Sequence, residues 1–214
     1  MARHEVPAGQ ALEQGLAAMG LALEEQARRG LVLFIEELLR FDESYSLVSA
    51  ASRAEVLQRH VLDALSILPY LQGRVVLDLG CGPGLPGLPL AIADATRQYV
   101  LLDRSEKKTR LVRHMLRRLD LPHVRCVVQE AGQFEGRHDT IVTRAFGSLA
   151  CVVAACDHLL APGGCLVLMQ GQVRQEQAPP HYGLERLEAL QVPGVTAARH
   201  VAIWRKEEER PWHG

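Results

Sequence analysis

Apolar positions recur with two different periods along this chain, and the change falls near residue 74. Before it, residues 30–41 are broadly apolar, with two glutamates and an arginine on the polar side of a predicted helix. Residues 53–68 carry apolar side chains at 54, 57, 61, 64, 65 and 68. That spacing is close to the helical period of about 3.6 and predicts an amphipathic helix, which Pro69 ends. The first third of the chain is therefore predicted to be helical.

After residue 74, short apolar runs rich in β-branched residues alternate with helical segments. Runs that are apolar on both faces predict central strands of a parallel sheet, covered by helices on each side. The predicted strands are residues 75–79, 99–102, 124–128, 140–143 and 165–169, the last preceded by a turn at 161–164. Two weaker runs, 187–192 and 199–204, flank Pro193-Gly194. So short a link predicts an antiparallel hairpin rather than another crossover.

Five parallel strands followed by a hairpin is the order expected of a class I SAM-dependent methyltransferase (SAM, S-adenosyl-L-methionine). The predicted fold class is α/β, with a Rossmann-like, seven-stranded, mostly parallel sheet that ends in a C-terminal antiparallel hairpin. We expect residues 1–70 to form an N-terminal helical cap packed on the same domain. Residues 71–206 are then the methyltransferase domain, and 207–214 a charged tail.

The composition narrows the function classes further. With 214 residues, 48% hydrophobic and 23% charged, the chain is neither disordered nor a small disulfide scaffold. Its longest strongly apolar stretches are far shorter than the roughly 20 residues of a membrane span. The start of the chain carries no apolar signal core, and the five cysteines form no Cys-x-x-Cys pair. We therefore expect a cytoplasmic monomer with no metal and no membrane association.

The net charge of −1 argues against electrostatic coating of nucleic acid, but the charge is distributed unevenly. Residues 104–118 hold seven Lys/Arg and one acid. A helix over 106–119 would bury an apolar stripe and turn basic side chains to solvent. A solvated face is one interpretation of these side chains, and contact with RNA phosphates is the other. The candidate RNA-binding residues are Lys107, Arg110, Arg113 and Arg117.

The glycine-rich loop after the first predicted strand is the most informative segment. The spacing Gly82-x-Gly84-x-x-Gly87 matches the dinucleotide fingerprint, so NAD binding is one interpretation. SAM is the other, because it needs close backbone approach rather than a pyrophosphate cradle, and the earlier Gly80 extends the glycine series. Its sulfonium and amino groups are cationic, and a carboxylate at Asp78 suits that charge. The sequence favours SAM.

Asp103, at the end of the second predicted strand, also has two interpretations. It lies where a carboxylate takes the ribose hydroxyls of a bound nucleotide. In Asp103-Arg-Ser-Glu106 it also matches a capping box for the following helix. One aspartate can do both, and we predict that Asp103 contacts the ribose.

Four segments together resemble one family, the bacterial small-subunit ribosomal RNA guanine-N7 methyltransferases (RsmG/GidB). They occur in the family's order and cover nearly the whole chain. They are the proline-containing loop at 82–91, Arg59-His60-Val-Leu-Asp63-Ala-Leu, Thr143-Arg144-Ala-Phe-Gly-Ser-Leu, and Arg199-His-Val-Ala-Ile.

The resemblance implies SAM-dependent methylation of N7 of a guanine in 16S ribosomal RNA, with ribosomal RNA or the small subunit as partner. It also implies a pocket-lining or RNA-facing role for His60 and Asp63, which by themselves could be a surface pair on one helix. The cofactor contacts that it implies are Gly80, Leu85, the backbone around Ala131 and Gly132, and the side chain of Arg144.

Two departures from the family pattern bear on the site. The family's Arg-Ala-Glu after the third strand is replaced by Glu130-Ala-Gly-Gln133. Its Lys-Gly after the fifth strand is Gln170-Gly171, which removes a fixed positive charge from the substrate side.

The chemistry of guanine N7 agrees with what the sequence lacks. N7 carries a lone pair and no proton, so its alkylation needs positioning and exclusion of water rather than a general base. The end of the fourth strand carries neither an Asn-Pro-Pro-Tyr motif nor a Pro-Cys nucleophile. We therefore assign no catalytic residue and expect Arg144, His60 and Asp63 to position the substrate. Methylation of a small molecule or a protein remains open, as does a SAM- or RNA-binding module without turnover.

Overall fold

A seven-stranded sheet lies at the centre of the computed structural model, which describes residues 7–46, 48, 52–173 and 175–208. The strands are β1 (Val75–Leu79), β2 (Gln98–Asp103), β3 (Val124–Val128), β4 (His138–Arg144), β5 (Leu160–Gln170), β6 (Tyr182–Ala189) and β7 (His200–Lys206). Their order across the sheet is β3-β2-β1-β4-β5-β7-β6. The first five run parallel, and β7 and β6 join antiparallel. The predicted fold class is confirmed.

Two features of the C-terminal half differ from the prediction. The sixth strand covers 182–189 rather than 187–192, and residues 161–164 belong to β5 instead of forming a separate turn. The sixth strand lies at the edge of the sheet and exposes six of its eight residues, so it lacks the two-sided apolar signal of a central strand. Pro-Gly-Gly at the start of β5 lies where its pairing with β4 shifts register, which explains why it resembles a turn.

The helices are α1 (Ala8–Ala18), α2 (Glu25–Tyr45), α3 (Arg53–Val56), a π-helix (Leu57–Leu62), α4 (Asp63–Leu65), α5 (Gly87–Ala93), α6 (Glu106–Arg118) and α7 (Leu149–Cys156). Short 3-10 turns cover Leu68–Tyr70, Ala131–Gln133 and Asp157–Leu159. The single helix predicted over 53–68 is thus divided by a π-helical turn. Such turns are rare and occur often at functional sites.

The N-terminal helices share one buried core with the helices that follow the glycine loop. Leucine, isoleucine and phenylalanine side chains of α1, α2 and 56–65 pack with those of α5 and α6. The close approach of α2 to α5 requires Gly30, because a Cβ there would lie 2.9 Å from the Ile92 side chain. A second core, to which α7 contributes, contains residues of β1, β4, β5 and β7.

Parts of the predicted domain division fall outside the described residues, namely 1–6, 47 and 49–51 of the cap, 174 of the methyltransferase domain and 209–214 of the tail. Among the helices that the structure describes, none combines the length and apolar character needed to cross a bilayer.

Candidate active site

Two adjoining clefts open at the edge of the sheet where the parallel strands end. The first has a volume of about 460 Å³ and the second about 590 Å³. Arg144, the last residue of β4, and Ala145 line both clefts. Ligands of open α/β sheets bind at this carboxyl edge, which makes the two clefts the candidate active site.

The first cleft contains four of the predicted cofactor residues, Gly80, Asp103, Ala131 and Arg144. It also contains three residues that the sequence did not single out, Arg104, Lys108 and Phe146.

Two glycines of the loop have left-handed backbone, and the first of them, Gly80, lines this cleft. Gly80 has a φ of +75°, and an added Cβ would lie 3.0 Å from the Phe146 ring. Gly82 has a φ of +53°, and no described atom lies within 4 Å of where its Cβ would be. The positive φ favours glycine at both positions, and at Gly80 the backbone forms part of the cleft wall.

The carboxylate of Asp103 links the loop to the next strand. Oδ2 accepts from the backbone N–H of Gly82 at 2.9 Å, and Oδ1 accepts from that of Ser105 at 2.7 Å. The cap of α6 is Ser105, whose hydroxyl accepts from the Lys108 N–H at 3.4 Å, so the predicted capping box at Asp103 is wrong. Each carboxylate oxygen keeps a second acceptor site, which leaves Asp103 able to accept from hydroxyls.

Asp78 lies beneath the loop rather than in the cleft. Its side chain is fully buried, and Oδ2 accepts from the backbone N–H of Gly87 at 2.7 Å. Burial raises the pKa of this carboxyl to about 7, and the nearby Arg144 acts in the opposite direction. The predicted direct contact of Asp78 with a cationic ligand is thereby corrected: the side chain fastens the loop to the end of β1.

Four other predicted cofactor residues also lie outside the lining of the first cleft, and the buried Gly82 is one of them. Leu85 is only 4% exposed and belongs to the hydrophobic core. A Cβ on Gly84 would lie 2.9 Å from Leu88, so this glycine faces α5. Gly132 follows the cleft residue Ala131 but does not itself line the cleft. The second half of the loop turns inward to begin α5, which explains the placement of Gly84 and Leu85.

The N-terminal helices hold the guanidinium of Arg144. Its Nη1 lies 3.4 Å from the carbonyl oxygen of Arg59, 3.5 Å from Nδ1 of His60 and 3.4 Å from Oδ2 of Asp63. These three groups lie in or next to the π-helical turn. The turn therefore anchors one end of Arg144 where the two clefts meet.

Asp63 binds a second arginine from the far end of the chain. Its Oδ1 accepts from Nε of Arg199 at 3.0 Å, and the residue is 2% exposed. Burial raises the pKa of Asp63, whereas the guanidiniums of Arg144 and Arg199 lower it. One buried carboxylate thus orients two arginines in the second cleft.

His60 lies in the same cleft as a neutral imidazole. Burial, together with the charges of Arg144 and Arg59, lowers its pKa to about 4. Because Nδ1 accepts from Arg144, the proton is placed on Nε2, which has no hydrogen-bond partner among the described residues.

Sequence reasoning did not identify Arg199 as a site residue, although the predicted hairpin contained the signal. The seventh strand is antiparallel to β5, so its first residues lie at the same edge as the carboxyl ends of the parallel strands. Gln170, which replaces the family's lysine, lines the second cleft together with Arg199. A fixed positive charge is therefore present there despite the substitution.

The predicted RNA-binding residues of α6 are not equivalent. Lys107, Arg110 and Arg117 are exposed, and the guanidinium of Arg110 lies 5.5 Å from the Tyr45 ring centroid. Arg113 is half-buried and pairs with Glu106 at 3.1 Å. Its guanidinium also reaches the Cys126 thiol on β3, so Arg113 is less available to RNA than the other three side chains.

The first cleft fits SAM. Gly80 brings backbone into the wall of the cleft, and Asp103 offers a carboxylate where ribose hydroxyls would lie. No group of three or more His, Cys, Asp or Glu within the described ranges is placed to hold a metal ion.

The sheet order and the glycine cleft define a class I SAM-dependent methyltransferase. A solved SAM-dependent O-methyltransferase from Thermotoga maritima shares the fold, with a TM-score of 0.55 and 17% identity over 83% of this chain and 72% of that one. The family model described as rRNA small subunit methyltransferase G (GidB) matches residues 27–202. The chain belongs to this family.

Relatives of similar length carry the same description. Ribosomal RNA small subunit methyltransferase G of Nitrosococcus oceani is 37% identical over 199 residues, which cover 91% of this chain and 93% of the relative. The protein of that name from Neisseria meningitidis is 36% identical over 203 residues, covering 91% and 97%. The predicted family is confirmed.

Proposed function

We propose that this enzyme transfers the methyl group of SAM to N7 of a guanine in 16S ribosomal RNA. The observation that carries the proposal is the junction of the two clefts at Arg144 and Ala145. A cofactor in the first cleft and a base in the second would meet at that junction. SAM bound in the first cleft supplies the methyl group.

The second cleft suits a nucleophile that needs no deprotonation. The pKa of His60, lowered to about 4, makes its imidazole a weak base, and Asp63 is occupied by two guanidiniums. No cysteine is found among the described residues that line either cleft. These side chains favour N7 over an exocyclic amine or a ring carbon.

The transfer to N7 balances without a proton acceptor. The N7 lone pair forms the new N–C bond, and the methyl carbon's bond to sulfur breaks with its electron pair remaining on sulfur. The positive charge passes from the sulfonium to the purine, and no proton is released. The protein contributes orientation and exclusion of water.

Arg144, Asp63 and His60 are the proposed positioning residues. The π-helical turn fixes Arg144 at the junction, and Asp63 fixes Arg199 beside it. Guanidinium groups in this arrangement can hold the phosphate or the O6 atom of an unstacked guanosine. The exposed basic side chains of α6 would contact phosphates farther along the RNA.

We also propose that the enzyme acts in the cytoplasm, since its substrate is the ribosomal subunit, and that it acts as a monomer.

The test is to delete the gene and map N7-methylguanine in small-subunit RNA by borohydride reduction and aniline cleavage. We expect one cleavage to disappear in the deletion strain. Purified enzyme and SAM should restore it in subunits from that strain, and Arg144→Ala should fail to do so. A cleavage pattern unchanged by the deletion would overturn the proposal and leave a different substrate or a binding module without turnover.

A further inference from the structure

Phe146 is an exposed aromatic side chain of the first cleft, next to the residues where that cleft meets the second. Its ring lines the first cleft, while its neighbours Ala145 and Gly147 line the second. It is 37% exposed, although burial of so large an apolar side chain would be favourable. Of the Phe, Tyr and Trp side chains in the described ranges, Phe146 alone lines either cleft.

The backbone around Phe146 is held in an uncommon conformation. Ala145 has a φ of +60° and Gly147 a φ of +128°. Left-handed backbone at a residue other than glycine is disfavoured, and it persists where the surrounding structure enforces it, commonly at ligand sites. The turn presents the ring at the junction instead of letting it pack into the core.

An aromatic ring at this place would stabilise a guanine that has left the RNA helix. In helical RNA, N7 lies in a deep, narrow groove that side chains cannot enter, so the base must leave the stack to be methylated. A base without its stacking neighbours gains by stacking on an aromatic side chain.

Methylation also makes the purine cationic, and the described lining of the second cleft already contains three arginines, Arg59, Arg144 and Arg199, and one carboxylate, Asp63. The face of a phenyl ring is electron-rich and attracts a cation, so a stacked ring would favour the charge that develops on the base.

We propose that the target guanine stacks on the ring of Phe146, and that this contact strengthens as N7 acquires positive charge. Phe146 would then be a catalytic residue of the reaction, although neither the cofactor fit nor the family resemblance identifies it. The inference rests on the proposed function.

The experiment compares Phe146→Leu, Phe146→Tyr and a series in which Phe146 is replaced by phenylalanine with one, two or three ring fluorines. Fluorines withdraw electron density from the ring face with little change in shape, so they separate the charge effect from folding. Single-turnover methyl transfer to subunits from the deletion strain gives the rate, and calorimetry with S-adenosylhomocysteine gives cofactor-site affinity.

We expect Phe146→Leu to slow transfer on the order of 10- to 100-fold, Phe146→Tyr to retain most of the rate, and each added fluorine to lower it further. S-adenosylhomocysteine affinity should fall by less than the rate in every variant, although the ring also lines the cofactor cleft. A Leu variant as fast as wild type, a fluorine series without a trend, or a loss of S-adenosylhomocysteine affinity as large as the loss of rate would each overturn the inference. No transfer by the wild-type enzyme would instead overturn the proposed function together with it.

Discussion

The fully buried carboxyl of Asp78 makes the stability of the fold depend on pH. Its pKa is about 7 in the folded protein and near 3.8 when solvated, so between those values the folded state binds the extra proton. The free energy of unfolding should therefore fall as pH rises from about 4 to 7. Asp78→Asn removes this titration and can keep the acceptor for the Gly87 N–H. From pH 4 to 8, urea denaturation should show the variant gaining at least about 1 kcal/mol relative to wild type.

His60 provides the matched control because folding lowers its pKa, whereas folding raises the pKa of Asp78. Its pKa is about 4 when folded and near 6.5 when solvated, so the unfolded state binds the extra proton between these values. This site lowers stability as pH falls from about 6.5 to 4, and His60→Asn should gain relative to wild type at low pH. Equal pH slopes for the two variants would contradict both assignments.

Helix α6 carries the electrostatic part of RNA binding in the proposed function. Each phosphate contact that is removed should reduce the dependence of log affinity on log salt by about 0.7 to 0.9. Lys107→Gln/Arg117→Gln should therefore flatten the slope for small subunits by about 1 to 2, with S-adenosylhomocysteine affinity unchanged. Both side chains are exposed, whereas Arg113 is occupied by Glu106 and is a poorer choice.

The control for α6 is Arg74→Gln/Arg137→Gln. These exposed arginines precede β1 and β4 and so lie at the opposite edge of the sheet from the clefts. The two double variants have the same net charge. If both show the same dependence of log affinity on log salt, the basic side chains of α6 are a solvated face and do not contact RNA.

Helices α2 and α6 are joined through one buried carboxylate, Glu37. It is 5% exposed and accepts from Arg118 of α6 at 2.5 Å, besides Arg40 on its own helix, and it lies 3.1 Å from Nε2 of His114. Glu37→Gln keeps the shape but removes the charge that the two arginines share. We expect a loss of about 1 to 3 kcal/mol in urea denaturation. The exposed neighbour substitution Glu36→Gln should stay within about 0.5 kcal/mol, and an equal loss there would refute the role of Glu37.

Across the whole molecule, Asp63 connects the helical cap to the end of β4 and the start of β7. Because Asp63 binds Arg199 directly, Arg199→Gln leaves the buried carboxylate with Arg144 alone, and Asp63→Asn removes the charged partner of both guanidiniums. Asp63→Asn and Arg199→Gln should each destabilise the protein. In a double-mutant cycle, their combined effect should be smaller than the sum by about 0.5 to 3 kcal/mol.

Arg205→Gln is the control for this cycle. Arg205 lies on β7, which Arg199 directly precedes, but its guanidinium binds Glu185 and Gln72 rather than Asp63. Its effect should add to that of Asp63→Asn within about 0.5 kcal/mol. Additivity in the Arg199 cycle would show that the long-range pair contributes nothing to stability.

The sequence by itself determined the central strands, the hairpin, the glycine loop and the family. Each of these has a local sequence pattern. The parallel strands are apolar on both faces, and glycines occur where the backbone must be left-handed or bare. The sequence pattern of the edge strand β6 is weaker. A strand that pairs with one neighbouring strand and has one solvated face needs few apolar residues.

Only the tertiary structure decided which way the site residues point and which of them meet. Asp78 and Asp103 both end strands beside the loop, yet one is buried beneath it and the other lines the cleft. Asp63 and Arg199, 136 positions apart, are brought together because the antiparallel β7 begins at the edge where β4 ends. Periodicity reports how one element is buried, whereas contacts between elements depend on how several of them pack together.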